Sequence, residues 1–200
     1  MLLSIPAHLG YGAIALLVGG ESAGLPVPGE TALVTGALLA AAGHLSLPIV
    51  IAIAAAAAIA GDNIGYWVGR RGGRQALLAR RGPLRAHRQR ALGRGEEFFA
   101  KYGAKAVFVS RWVPGVRVVA ALVAGATRMP VRGFMIANAL GAVAWAATTG
   151  GMVFLLGPVG GAIVLATGIG ITAAAAALAL VRRVRARRIA MPPAPGVMAG

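Results

Sequence analysis

The chain reads as long apolar runs interrupted by a few charged residues and by proline–glycine breaks. Residues 9–24 are apolar but short for a bilayer crossing, which takes about 20 helical residues, and they carry Glu21. Leu25-Pro-Val-Pro-Gly-Glu30 follows, a break with a second carboxylate, and residues 31–43 are apolar again. Two short arms about Pro28 and Gly29 predict a re-entrant hairpin over 9–43. Residues 48–69 are long enough for a full span. Residues 70–101 are clearly hydrophilic, Arg-rich with leucines and phenylalanines interspersed, and read as amphipathic helix on a membrane surface. Residues 102–127 repeat the first plan: short arm, Pro114-Gly115, short arm. Residues 133–156 and 158–181 read as further spans. Residues 182–200 read as a basic tail that ends disordered, rich in Pro and Gly.

The two halves echo each other. Pro28-Gly29-Glu30 parallels Pro114-Gly115-Val116-Arg117. Each is followed by an apolar arm, a proline (Pro48, Pro130) and a full span. Asn63-Ile-Gly65 and Asn138-Ala-Leu-Gly141 recur within those spans. Residues 1–69 hold no Lys or Arg, whereas basic residues gather at 70–105 and 182–188. Excess positive charge marks the cytoplasmic side, so residues 70–101 and the tail are placed there. Span 48–69 then runs inward, 133–156 outward and 158–181 inward, and the hairpins enter from opposite faces. The expected fold is a single all-α integral membrane domain over residues 1–181. It is an inverted repeat with two opposed re-entrant helical hairpins plus about three transmembrane helices, a transporter plan.

Composition fits that picture. Of 200 residues, 58% are hydrophobic and 12% charged, about half the charged share of a soluble domain. The net charge of +15 invites a nucleic-acid reading, but clusters flanking apolar spans fit anionic lipid better. The chain has no cysteine, and His8, His44 and His87 lie far apart. No disulfide, metal site or cofactor is therefore expected. No basic segment precedes the first apolar run, which is expected to stay in the mature protein.

The chemistry concentrates where charge enters apolar sequence. Arg111 and Arg117 stand in a run otherwise apolar from Ala106 to Ala126. A buried guanidinium needs a partner, and ionisable residues inside a membrane are functional candidates by default. Glu21, Glu30 and Asp62 are the candidate partners and proton carriers, although Asp62 could instead pair locally with Arg70. Arginine offers a two-pronged fork to phosphate. A carboxylate in a low-dielectric cavity holds its proton more tightly, and a nearby Arg loosens it. Pro28, Gly29, Pro114 and Gly115 are the expected breaks or hinges. Tyr66 and Trp67 fit an interfacial aromatic belt. Arg128 and Arg132 read as cytoplasmic anchors, and Trp112 as packing. Gly61, Gly65 and Gly69 form a small face open to close packing, within the protomer or in a homo-oligomer. Gly20-Glu-Ser-Ala-Gly24 matches a nucleophile-elbow pattern, but no strand precedes it, so no enzyme is read from it.

Several of these segments together resemble the DedA family, also called the SNARE-associated Golgi protein or VTT domain. They are Glu21 with Gly24, Leu25-Pro, Pro28-Gly-Glu30, Gly61-Asp-Asn-Ile-Gly-Tyr-Trp-Val-Gly-Arg70, Phe108-Val-Ser-Arg-Trp-Val-Pro-Gly-Val-Arg117 and Ala124-Gly125 with Met129. The family often has Asp where Glu30 stands. The resemblance implies a transporter linked to the proton-motive force, with Glu21, Glu30, Arg111 and Arg117 required. It implies undecaprenyl phosphate, a polyprenyl lipid carrier, as the substrate of some bacterial members. The function expected is thus a lipid flippase for a polyprenyl phosphate in the cytoplasmic membrane. Rival readings are a proton-coupled transporter of a small solute or ion, a phospholipid scramblase, a lipid-phosphate enzyme and a scaffold.

Overall fold

A computed structural model describes the backbone of residues 7–73, 85–113 and 116–189. Residues 1–6 and 74–84, the Pro114-Gly115 break and the tail end at 190–200 lie outside the described residues. Every regular element among the described residues is helical: α1 (Ala7–Ala23), α2 (Gly29–Ala41), α3 (Leu47–Val68), α4 (Arg85–Ser110), α5 (Val116–Ala126) and α6 (Val131–Ile189). A π-helical turn at Gly69–Gly73 extends α3. Leu47–Gly72 and Val131–Ile171 are long and apolar enough to cross a membrane, with mean hydropathy 1.9 and 2.1.

Local sequence sets the breaks. Gly43 takes a left-handed φ of 80° after α2, and the His44 N–H returns to the Leu39 carbonyl at 2.9 Å, which closes the helix end. Ser46 and Pro48 open α3, where a missing proline N–H costs nothing. The two spans expected at 133–156 and 158–181 correspond to two helical segments joined across a kink at Gly157, whose backbone is non-helical (φ 58°, ψ −141°). Pro158 disfavours helical backbone in the residue before it, and Gly157 takes the positive φ that interrupts the helix there. Gly103 interrupts α4 in the same way (φ 51°, ψ −134°), dividing it into two helical segments.

α1 and α5 both pack along α3. A Cβ on Gly61 would run into the Gly19 carbonyl of α1, and one on Gly69 into the Leu122 carbonyl of α5. The small face of α3 is therefore used within the protomer. It brings one arm of each expected hairpin onto the same helix.

Two expectations about the end of α3 are corrected. Tyr66 is not interfacial but 1% exposed. Its ring stacks on Phe134 with centroids 4.4 Å apart. Its hydroxyl donates to the Met129 carbonyl at 2.6 Å and accepts from Arg70 Nη1 at 2.6 Å. Arg70 also donates to the Met129 carbonyl at 3.2 Å. It thus ties α3 to the turn before α6 and does not pair with Asp62.

Two apolar clusters frame the centre. One gathers Ile14, Val18, Leu33, Val50 and Trp145 from α1, α2, α3 and α6. The other gathers Tyr66, Val107, Ala121 and Phe134 from α3 to α6. Along α3, Asp62 falls between Ala58 of the first and Tyr66 of the second; along α6, Asn138 falls between Phe134 and Ala142.

Candidate functional site

Arg111 sits in the turn that ends α4, and Arg117 in the first turn of α5. Each is 4% exposed, so each needs compensation for lost hydration. Arg111 pairs through Nη1 with Asp62 of α3 and donates from the same nitrogen to Asn138 Oδ1 of α6 at 2.8 Å. The Asn138 amide in turn donates to the Ile59 carbonyl at 3.3 Å and to Asn63 Oδ1 at 3.4 Å. The two asparagine-bearing segments that echo each other in sequence are therefore in contact.

Arg117 pairs through Nη2 with Glu21 of α1. Glu21 has a second task. Its Oε2 accepts the Glu30 backbone N–H at 2.9 Å. Pro28 starts α2 and gives no side-chain cap, so Glu21 caps that helix from α1 and meets its positive dipole end. A Cβ on Gly29 would collide with Glu21 Oε2. The Pro28-Gly29 break is thus fitted to the carboxylate that crosses it.

Glu30 itself lines a cavity of about 130 Å³ with Arg111, Trp112, Arg117, Trp145 and Thr149. Among the described residues its carboxylate makes no ion pair or hydrogen bond. Arg111 Nε and Nη2 and Arg117 Nε are buried without partners, as are Asp62 Oδ1 and Ser22 Oγ. Orphaned buried donors call for an explanation, and both arginines that carry them line this cavity, where a guanidinium can offer two N–H groups to an anion. The structure thus brings Glu30, Arg111 and Arg117 to one cavity and joins Asp62 and Glu21 to it through the two arginines, while Pro114 and Gly115 lie outside the described residues. Among the described residues no cluster of His, Cys, Asp and Glu could hold a metal ion.

Sequence reading missed Trp145 as a site residue. Its ring centroid lies 4.7 Å from Arg117 Cζ and 6.0 Å from Arg111 Cζ. The signal was spacing: Asn138, Trp145 and Thr149 are seven and four residues apart, which puts them on one helix face. Trp112, read as packing, does pack on Phe108 at 5.1 Å and also borders the cavity.

Comparison with known proteins adds a family match and three relatives. The family model of the VTT domain matches residues 27–151. An uncharacterized membrane protein of Synechocystis is 41% identical over 158 residues, covering 79% of this chain and 72% of its own. Undecaprenyl phosphate transporter A of Staphylococcus aureus is 32% identical over 142 residues, 70% of each chain. The protein of that name from Bacillus subtilis is 31% identical over 145 residues, 72% of this chain and 70% of its own. No solved structure matches.

Proposed function

The chain belongs to the VTT-domain (DedA) family of membrane proteins, and from that premise we propose that it is a proton-linked transporter of a polyprenyl phosphate. The relatives' names point to a transporter rather than an enzyme. One observation carries the reading: buried guanidinium donors are left over beside an unpaired carboxylate in one cavity. In this proposal Arg111 and Arg117 take the lipid phosphate, and Glu21, Glu30 and Asp62 handle protons. Glu30 is the first to exchange because no pairing has to be broken.

Charge counting supports the coupling. Glu21, Glu30 and Asp62 against Arg111 and Arg117 sum to −1 when all are ionised. A phosphate monoanion would take the cluster to −2, and added net charge in a low-dielectric site is costly. A proton on Glu30 restores −1, so one anion and one proton load together. Re-entrant hairpins at 9–43 and 102–127, related as an inverted repeat, would open the site to either side in turn. The Pro28-Gly29 and Pro114-Gly115 breaks serve as hinges. The proposal places the protein in the cytoplasmic membrane with its basic segments inside.

The test uses purified protein in liposomes with polyprenyl phosphate in one leaflet. Its arrival in the other leaflet is followed with and without a pH gradient. Gradient-accelerated movement, lost in Arg117→Ala, is the expected result. Movement indifferent to the gradient would make the protein a scramblase. No movement by folded protein would reject the lipid substrate.

A further inference from the structure

We infer that Trp145 is a positioning residue of this cavity: its indole face supports the charges of Arg111 and Arg117 and leaves their N–H edges free for an anion. The inference rests on the phosphate reading above and goes further, because it assigns the work of holding two like charges together to an uncharged group.

The geometry is specific. One ring lies within 6.0 Å of both guanidinium carbons, and the nearer, Arg117, is at 4.7 Å. The ring is 3% exposed and belongs to the apolar cluster of Ile14, Val18 and Leu33 with Ala142 and Ala146 of its own helix. Packing on that scale fixes its orientation, so it cannot follow the arginines if they move. It also forms part of the cavity wall.

Two guanidinium groups around one small cavity repel each other. Each is paired with a carboxylate through a single terminal nitrogen, and the remaining buried donors have no partner. Glu30 lines the same cavity without bonding either arginine; a carboxylate that did pair with them would occupy the N–H groups an anion needs. An aromatic face is negative and attracts a cation without accepting its conventional hydrogen bonds. Indole is the strongest such face among the side chains. Trp145 can therefore hold the arginines in place both when the carboxylates grip them and when a proton on Glu21 or Asp62 loosens that grip.

The test measures uptake of geranylgeranyl monophosphate into proteoliposomes against its concentration. Trp145 is replaced by Phe, by Leu and, site-specifically, by tryptophans carrying one to four ring fluorines. Fluorination drains the face of the ring while nearly preserving its shape. The half-saturating concentration should climb with each fluorine, to about tenfold for the fully substituted ring, with the maximal rate and melting temperature held. Phe should retain most of the affinity and Leu should lose it. The fluorinated series carries the result if the Leu protein fails to fold. A flat series, in protein whose uptake is still abolished by Arg117→Ala, would overturn the inference and leave Trp145 as a space filler. Uptake that survives Arg117→Ala would remove the phosphate reading, and the inference with it.

Discussion

Glu21 and Glu30 stand on either side of the first break and do different work. Glu21 bridges the Arg117 guanidinium and the N-terminus of α2, so it is a structural clamp in addition to the proton-handling role proposed for it. Glu30 faces the cavity without a partner. Glu21→Gln should leave Arg117 buried and unpaired and lower stability by about 3 kcal/mol, read as earlier thermal unfolding in detergent. Glu30→Gln should leave the melting temperature alone and let transport run without acceleration by a pH gradient. Equal melting of the two variants would refute this division. Asp62→Asn should resemble Glu21→Gln, because it strips the same kind of support from Arg111. The charged residues were legible in the sequence because an ionisable group in an apolar run stands out against its surroundings. Their pairing was not, since Asp62 and Arg111 are 49 positions apart and Glu21 and Arg117 are 96 apart. Trp145 was missed for another reason: an aromatic ring in an apolar span looks like packing until its neighbours are known, even though its spacing puts it on one face with Asn138 and Thr149.

Helix positions and most breaks follow from local rules, and their contacts follow from size. Glycines at every fourth position on α3 announced a close approach, and the structure fills that face with α1 and α5. Gly69→Leu should force α5 away from α3 and cost on the order of 3 kcal/mol or more, because the obstacle is a backbone carbonyl that cannot swing aside. Gly72→Ala is the matched control, since nothing lies within 4 Å of the added methyl; it should stay within about 0.5 kcal/mol. Thermal unfolding of the purified variants decides it. If both melt alike, the α3–α5 contact is looser than described. Proline and glycine were legible in α6 as well. Gly157-Pro158 separates the two spans expected there, and Gly157 takes non-helical backbone in the structure; packing then places the segment beyond the kink. There Val164 joins Val34, Ala37 and Val153, so the far segment stays against α2.

At the scale of the molecule, the two halves meet through charge. The first supplies carboxylates on α1, α2 and α3; the second supplies guanidiniums at the α4–α5 turn and the Asn138–Trp145 face of α6. No other titratable side chain lines the cavity among the described residues; α6 contributes only Trp145, hydroxyls and apolar groups. Neither half could bury its charges alone, so assembly of the fold and assembly of the site are the same event. The sum of −1 then fixes the sense of the pH dependence. Raising the pH ionises Glu30 and, in parallel, takes a phosphate monoester from monoanion toward dianion. The first change takes the cluster from neutral to one unit negative, and the second adds negative charge to the ligand that must enter it. Apparent affinity for the lipid phosphate should therefore rise as pH falls, and each monoanion that binds should withdraw one proton from solution. A pH indicator in weakly buffered detergent solution, titrated with geranylgeranyl monophosphate, reads that proton directly. Glu30→Gln should bind the same ligand with the proton signal gone, because its empty site already has the charge that proton would have supplied. Proton release on binding, or an unchanged signal in Glu30→Gln, would break the proposed link between the unpaired carboxylate and the anion.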